Sequence, residues 1–421
     1  MSRSSTTGAF PTRLFLFAFL GWTFDFYDLV LFGFIKDVVA RDLGLAHRYE
    51  PWLLGVALCT SGLGGIVAGR LADRFGKRSV LAVTILVYSL GSLVCGLSGS
   101  VATFIAGRAL VGLGVGGEWA VGHGMVAEAV AAERRGRASA LLQAGEPVGV
   151  ALAGVVGYLL VPHVGWRWVL IGSSATALLA FTARSSLHLP STPSAEPAPL
   201  SALLRRGILS RAVRAWLLGV FKLGTYWSCY TWLPSILLTR MGQSVGRSLT
   251  WIMTAQVGQF LGMLAFGPFA DTFGRRKAYT LFSLLTAAAL APLAFEWRTL
   301  SAIPPLFWSV MLLLGFGSGC TAGFGALLAE LFPTELRGLG MGTTYNLART
   351  VQLWAAVAVG WAFDRAGLAG ALGVPLVLAL ATASWVWVLP ETRGIPLPTL
   401  RDLASRPPPP AAEAEPSEAG P

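Results

Sequence analysis

Seven ionisable side chains stand within stretches that are otherwise apolar: Asp25, Asp28, Arg108, Glu118, Glu146, Lys222 and Arg349. A charge in such a setting is costly unless it is paired or meets water, so each is a functional candidate. Asp25 and Asp28 are three residues apart and share one face of a helix. Neighbouring carboxylates resist double ionisation and can share a proton; Asp25 could equally face water. A carboxylate beside an arginine stays ionised, whereas one parted from it in a dry cavity takes up a proton. Proton uptake at such a site would follow conformation. Arg349 has the chemistry of an anion anchor, because a planar guanidinium can hold a carboxylate through two parallel hydrogen bonds. Tyr345, Asn346 and Gln352 lie within a turn of it. The alternative for Arg349 is an ion pair with a carboxylate elsewhere in the chain, such as Asp25 or Glu146.

The remaining candidates read less sharply. Glu118 and Glu146 could be second proton sites or protonated acids hydrogen-bonded to neighbours, and Glu118 is favoured for function. Lys222 lies nearer the end of its apolar stretch, where a lysine can extend to the water layer, and reads as structural. His123 reads as a packed imidazole. Trp22, Tyr27, Trp119, Tyr226, Trp227, Tyr230 and Trp232 either line a cavity or belong to an interfacial aromatic belt; Tyr226 and Tyr230 are taken as ligand contacts. Gly112, Gly114, Gly116 and Gly117 suit close helix packing rather than phosphate binding, since no strand precedes them and no GK[ST] follows.

These residues need helices to position them. Of 421 residues, 54% are hydrophobic and only 13% charged, about half the charge of an ordinary globular protein. The apolar excess falls in blocks of about twenty residues, enough to cross hydrocarbon as a helix. Twelve spans can be drawn, near 14–38, 51–70, 79–98, 101–126, 138–161, 166–183, 214–238, 248–270, 278–295, 303–328, 339–362 and 369–389. The expected fold is an all-α membrane protein of two six-helix bundles. These are residues 1–183 and 214–400, with a cytoplasmic linker at 184–213 and a disordered tail at 401–421. The net charge of +11 gathers on one face, the cytoplasmic one if both termini are inside. It therefore reads as topology beside anionic lipid, not as nucleic-acid binding. The four cysteines show neither disulfide nor metal spacing, so no cofactor or metal is expected. The N-terminus lacks a cleavable-signal pattern.

Two charged motifs recur in order. GRLADRFGKRS (Gly69 to Ser79) returns as GPFADTFGRRK (Gly267 to Lys277), and Ala127-Glu128-x4-Glu133-x-Arg135-Gly136 returns as Ala329-Glu330-x4-Glu335-x-Arg337-Gly338. Each half thus carries the same landmarks, a parallel repeat. Asp73, placed near a helix N-terminus, would be favoured by the dipole. Arg74, Arg78, Glu128 and Arg135 with their counterparts Asp271, Arg275, Glu330 and Arg337 could pair between bundles and form a gate on the cytoplasmic side.

These motifs resemble the major facilitator superfamily over nearly the whole chain. The loop is close to its signature in the first half and looser in the second, at Pro268, Phe269 and Thr272. Ala-Glu-x6-Arg-Gly and PETRGIPL (Pro390 to Leu397) resemble its sugar porters. GWTFDFYDLVLFGFI (Gly21 to Ile35), GGEW (Gly116 to Trp119), RGRASALLQAG (Arg135 to Gly145), YWSCYTWLP (Tyr226 to Pro234) and GTTYNLAR (Gly342 to Arg349) resemble the sialate, lactate and aromatic-acid proton symporters. The resemblance implies the major facilitator fold and gives Asp28 a partner. In proton-coupled sugar porters an acid of the first span pairs with the arginine of R-x3-G-x-G on the fourth, the places Asp28 and Arg108 occupy here. A static ion pair between helices is the plainer alternative.

The reading is a secondary transporter importing a small carboxylate with protons by alternating access. It would be a monomer in the plasma (inner) membrane with both termini cytoplasmic. Asp25, Asp28, Arg108 and Glu118 would couple the proton, and Arg349, Tyr345, Asn346, Gln352, Tyr226 and Tyr230 would hold the anion. The rivals are a proton-coupled exporter of drugs or metabolites, a sugar-type porter and a ligand-binding receptor without turnover. An enzyme is disfavoured, for want of a nucleophile triad, metal spacing or nucleotide loop.

Overall fold

The computed structural model describes residues 12–45, 50–185, 199–232 and 245–404, and they are helical with no strand among them. In hydrocarbon every backbone donor and acceptor must be satisfied within its own segment, which an apolar helix does. Spans one to four are Thr12–Asp42, Glu50–Phe75, Lys77–Gly96 and Val101–Ala129. The fifth is broken at Ala144 into Arg135–Gln143 and Gly145–Val155, with Pro147 directly after the break, and the sixth is Trp166–Ser185. The eighth and ninth are Val245–Phe273 and Arg275–Phe295. The tenth joins Pro304–Ser318 to Phe324–Leu331 through a tighter turn. The eleventh opens as Arg337–Val351 and continues in Leu353–Trp385, which breaks at Ala366 and Gly367 to start the twelfth. With the seventh, from Arg206, the elements amount to the twelve-span arrangement of the sequence reading.

The seventh span departs from expectation. Its helix begins at Arg206, eight residues before the boundary drawn at Arg214, and runs into a wider turn at Ser228–Trp232. Ile208 and Ala215 are buried while Arg205 and Arg206 are exposed. The amphipathic segment expected within the linker is thus the first part of this helix. Residues 186–198 of that linker, the tail beyond 404, Pro234 and the side chain of Trp232 lie outside the described residues.

The two halves share their turns. Gly76 and Gly274, at matching places in the repeated loop, have φ of +88° and +102°, a region that only glycine enters without strain. Each ends one helix and directly starts the next, so the loop's charges sit at helix termini. Within each half one span wedges between two others by backbone contact. A Cβ on Gly116 would lie 2.1 Å from the Ser61 carbonyl oxygen, and one on Gly315 would lie 1.9 Å from that of Ala255. Lipid offers no hydrophobic drive for helix association, so such close approach is what holds the bundle. Gly116→Ala should therefore lower the Tm of the detergent-purified protein, overpacking costing about 1–3 kcal/mol. Gly373→Ala, with nothing within 4 Å of its added Cβ, should leave the melting curve unchanged or slightly raised.

Candidate functional site

The repeated loops form a latch between the halves. Asp73, near the end of the second span, accepts hydrogen bonds from the backbone N–H groups of Gly338 and Leu339, both at 3.0 Å. Asp271, its counterpart, accepts from Gly136 and Arg137 N–H, both at 2.9 Å. Each aspartate thus caps the helix that opens a span of the opposite half. A helix N-terminus has orphan donors and the positive end of a dipole, and a carboxylate satisfies both. This also explains the Gly of the Arg-Gly motif. A Cβ on Gly338 would lie 2.5 Å from Asp73 Oδ1, and one on Gly136 would lie 2.4 Å from Asp271 Oδ1.

Charged side chains ring each cap. Glu128 receives Arg337 at 2.7 Å across the halves and Lys77 from its own. Glu330 receives Arg275 Nη2 at 2.9 Å and the Thr392 hydroxyl at 2.6 Å, and Arg275 Nη1 also reaches Asp271 at 2.6 Å. Arg135 and Arg337 each donate Nε to a carbonyl, that of Ala127 and Ala329 respectively, at 3.1 Å. Their remaining nitrogens differ. Arg135 crosses to the Ile395 carbonyl at 2.9 Å rather than to a glutamate.

One gate candidate needs correction. Arg74 is exposed and its guanidinium lies over its neighbour Phe75, 5.1 Å from the ring. Lys77, which the sequence reading did not include in the gate, joins it through Glu128. Sequence reasoning also missed Glu391, whose carboxylate accepts from the N–H groups of Arg275 and Arg276 at 2.9 and 3.1 Å and so caps the ninth span. Its signal was present in PETRGIPL, read only as a resemblance.

A second cluster lies between the halves at mid-span. Trp119 stacks on Tyr345 with ring centroids 3.7 Å apart and planes 6° from parallel. The Arg349 guanidinium lies 5.2 Å from the Tyr345 ring and 5.8 Å from that of Trp22. Arg349 is 1% exposed, and neither terminal nitrogen finds a hydrogen-bond acceptor. Lys222 is 2% exposed, and its ammonium has no acceptor either. Its expected reach to the water layer is therefore wrong: with the helix starting at Arg206, Lys222 is carried sixteen residues inward. Glu146, 1% exposed at the break in the fifth span, interacts electrostatically with both cations. Its oxygens accept from the Gln143 amide at 2.6 Å and the Gln259 amide at 3.0 Å. Gln143 Oε1 in turn accepts from Trp119 Nε1 and pairs with His123 Nε2, both at 2.9 Å, so His123 is packed and bonded as expected. Tyr226 faces Phe26 across the halves at 6.2 Å and touches Tyr230 at 4.9 Å.

Two residues taken as anion ligands serve the helices instead. Asn346 Nδ2 donates to the carbonyls of Gly116 at 2.8 Å and Gly342 at 3.0 Å, fastening the eleventh span to the fourth. Gln352 Nε2 donates to the carbonyls of Val220 at 3.2 Å and Ala348 at 2.7 Å, tying the eleventh span to the seventh. An amide nitrogen holding two carbonyls has no donor left for an anion.

The third group lies in the first half. Asp28 is buried and accepts from the Ser92 hydroxyl, with its other oxygen unbonded. Arg108, equally buried, reaches the Leu29 carbonyl at 3.5 Å and lies over the Phe32 ring at 4.8 Å. The two charges interact, but no oxygen–nitrogen contact within 4.0 Å joins them. The ion pair suggested by resemblance is open. Asp25 is buried one turn before Asp28, and Glu118 is buried beside Trp119. Among the described residues no group of His, Cys, Asp and Glu could hold a metal ion.

Two helical halves joined by capped termini, with buried and unbonded cations between them, define a membrane transporter rather than an enzyme. The family model for the Major Facilitator Superfamily matches residues 14–255 and 246–416, and the chain belongs to that superfamily. A Cupriavidus pinatubonensis protein named "Probable 4-methylmuconolactone transporter" is 32% identical, with 94% of each chain covered. The cis,cis-muconate transport protein of Acinetobacter baylyi is 27% identical over 89% of this chain and 92% of its own. The structure of the proton:xylose symporter XylE, bound to 6-bromo-6-deoxy-D-glucose, superposes with a TM-score of 0.76 at 18% identity, covering 94% of this chain and 98% of that one. That likeness establishes the fold.

The latch makes a direct prediction. Spin labels on the exposed residues Arg134 and Lys277, one in each half, should report a short, narrow distance distribution. Gly338→Ala or Asp73→Ala should shift it to longer distances, and an unmoved distribution in both would show that the caps do not hold the halves together.

Proposed function

We propose that the protein imports a small carboxylate together with protons, by alternating access, across the plasma (inner) membrane. The observation that carries this reading is the pair of buried cations Arg349 and Lys222, whose terminal nitrogens find no acceptor, with the Arg349 guanidinium beside aromatic rings contributed by both halves. A cation held in that setting without an acceptor is stabilised when an anion arrives, and the flat walls of Trp22, Trp119 and Tyr345 suit an unsaturated or aromatic body. The A. baylyi relative, by its name a carrier of cis,cis-muconate, supports a carboxylate.

Proton coupling is assigned to Asp28 and Arg108, with Asp25 and Glu118 near by. With the pair open, burial of Asp28 away from a contacting cation suits the protonated acid; closing onto Arg108 would release the proton. In this reading the latch lies on the cytoplasmic side, as the concentration of Arg and Lys there supports, and the carrier with its caps engaged receives substrate from outside. Both termini are then cytoplasmic, residues 1–183 and 214–400 act as the two rocking units, and a single chain suffices.

In proteoliposomes, adding the carboxylate that is carried should alkalinise the outside medium. Asp28→Asn should abolish that signal while substrate still binds. Arg349→Lys should weaken binding by about tenfold or more, since the bidentate geometry is lost. Carboxylate efflux driven by inward proton movement would instead make the protein an exporter, and proton uptake undiminished in Asp28→Asn would remove that residue from the coupling.

A further inference from the structure

Trp22 of the first span is 2% exposed, and its indole Nε1 finds no hydrogen-bond acceptor. An indole N–H can only donate, and a buried one usually has a partner, because leaving it unbonded forfeits its hydration for nothing. Phe26, one turn on, packs edge-on against the ring at 5.3 Å and helps to fix its orientation. The pyrrole edge lies against the break in the fifth span: a Cβ on Gly145 would be 3.3 Å from Trp22 Cδ1, the atom bonded to Nε1. Glu146, the next residue, accepts from the amides of Gln143 and Gln259 instead of from the indole. Asp25, a turn further along the first span, does not take the indole proton either. From the other half the Arg349 guanidinium comes within 5.8 Å of the Trp22 ring, and its two terminal nitrogens are also unbonded. Buried donors of both halves thus lie together with no acceptor.

We propose that Trp22 is a ligand-binding residue, whose Nε1–H holds the substrate carboxylate together with the Arg349 guanidinium. This rests on reading the cluster as the substrate site. A carboxylate offers about four acceptor positions, and a guanidinium bound through two parallel bonds fills only two of them. Hydrogen bonds of about 2.8 Å on either side let one carboxylate reach both groups across the 5.8 Å that separates ring and guanidinium. Bound in this way, the anion joins the first span to the eleventh, so the ligand itself draws the two halves together. The indole carries no charge, so its part in binding does not depend on the protonation of the acids around it.

Binding of sorbate, benzoate and cis,cis-muconate to the purified full-length protein is measured by calorimetry, and the one held most tightly serves as the probe. In wild-type protein grown with isotope-labelled tryptophan, the Trp22 indole N–H resonance is assigned by its loss in Trp22→Phe or Trp22→Tyr. It should move downfield as the probe saturates the site. Trp22→Phe keeps an aromatic ring but removes the donor, and it should weaken the probe by about tenfold or more with the Tm close to that of the wild type. An indole resonance that stays in place at saturation, or a Trp22→Phe protein that binds the probe as the wild type does, would overturn the inference. A wild type that binds none of these compounds nor any other carboxylate would overturn the reading of the site itself.

Discussion

Asp73 and Asp271 each end a helix of one half by bonding to the first free N–H groups of a helix in the other. The rest of the structure depends on this interaction. It aligns the eleventh span against the second and the fifth against the eighth, and those four carry Arg349, Tyr345, Glu146 and Gln259 or the residues they pack on. A charge at a helix N-terminus contributes about 0.3–1 kcal/mol, and up to about 2 kcal/mol when partly buried. Two such caps are strong enough to bias the population of one state. They are weak enough to yield to a ligand that binds the other state more tightly.

The caps work because nothing intervenes. Gly69 and Gly338 approach so closely that a Cβ on Gly69 would lie 2.4 Å from the Gly338 carbonyl oxygen. The same economy of side chains recurs where the eleventh span crosses the second at Gly65, against Asn346. Small residues along this seam leave the larger and charged ones to the centre. Burial there is tolerated for different reasons at different residues: Glu146 by its amides, Asp28 by Ser92, and Arg349 by the faces of two aromatic rings. Lys222 has none of these supports among the described residues.

Much of this was legible in the chain. Blocks of apolar residues near the length of a bilayer dictate helices, and the repeated Gly-Asp-Gly and Glu-Arg-Gly landmarks marked two equivalent halves. Asp25, Asp28, Arg108, Glu118 and Arg349 stood out because charge in an apolar run is conspicuous in one dimension. Lys222 was misjudged, since depth depends on where a helix begins, and the polar start at Arg206 resembled linker. Asn346 and Gln352 were grouped with Arg349 by spacing alone. Spacing assigns neighbours on one helix but cannot show that their amides are already engaged by carbonyls of the fourth and seventh spans.

By itself the sequence determined the class of fold, the repeat, the membrane setting and the buried charges, because each follows from local composition and period. Tertiary structure alone decided the pairing: which helix end each aspartate caps, that Lys77 and Arg337 meet on Glu128, that Glu391 caps the ninth span, and that Glu146 stands between two amides. These are contacts between residues far apart in the chain, some crossing from one half to the other. Their geometry arises when the helices pack, and no local pattern encodes it.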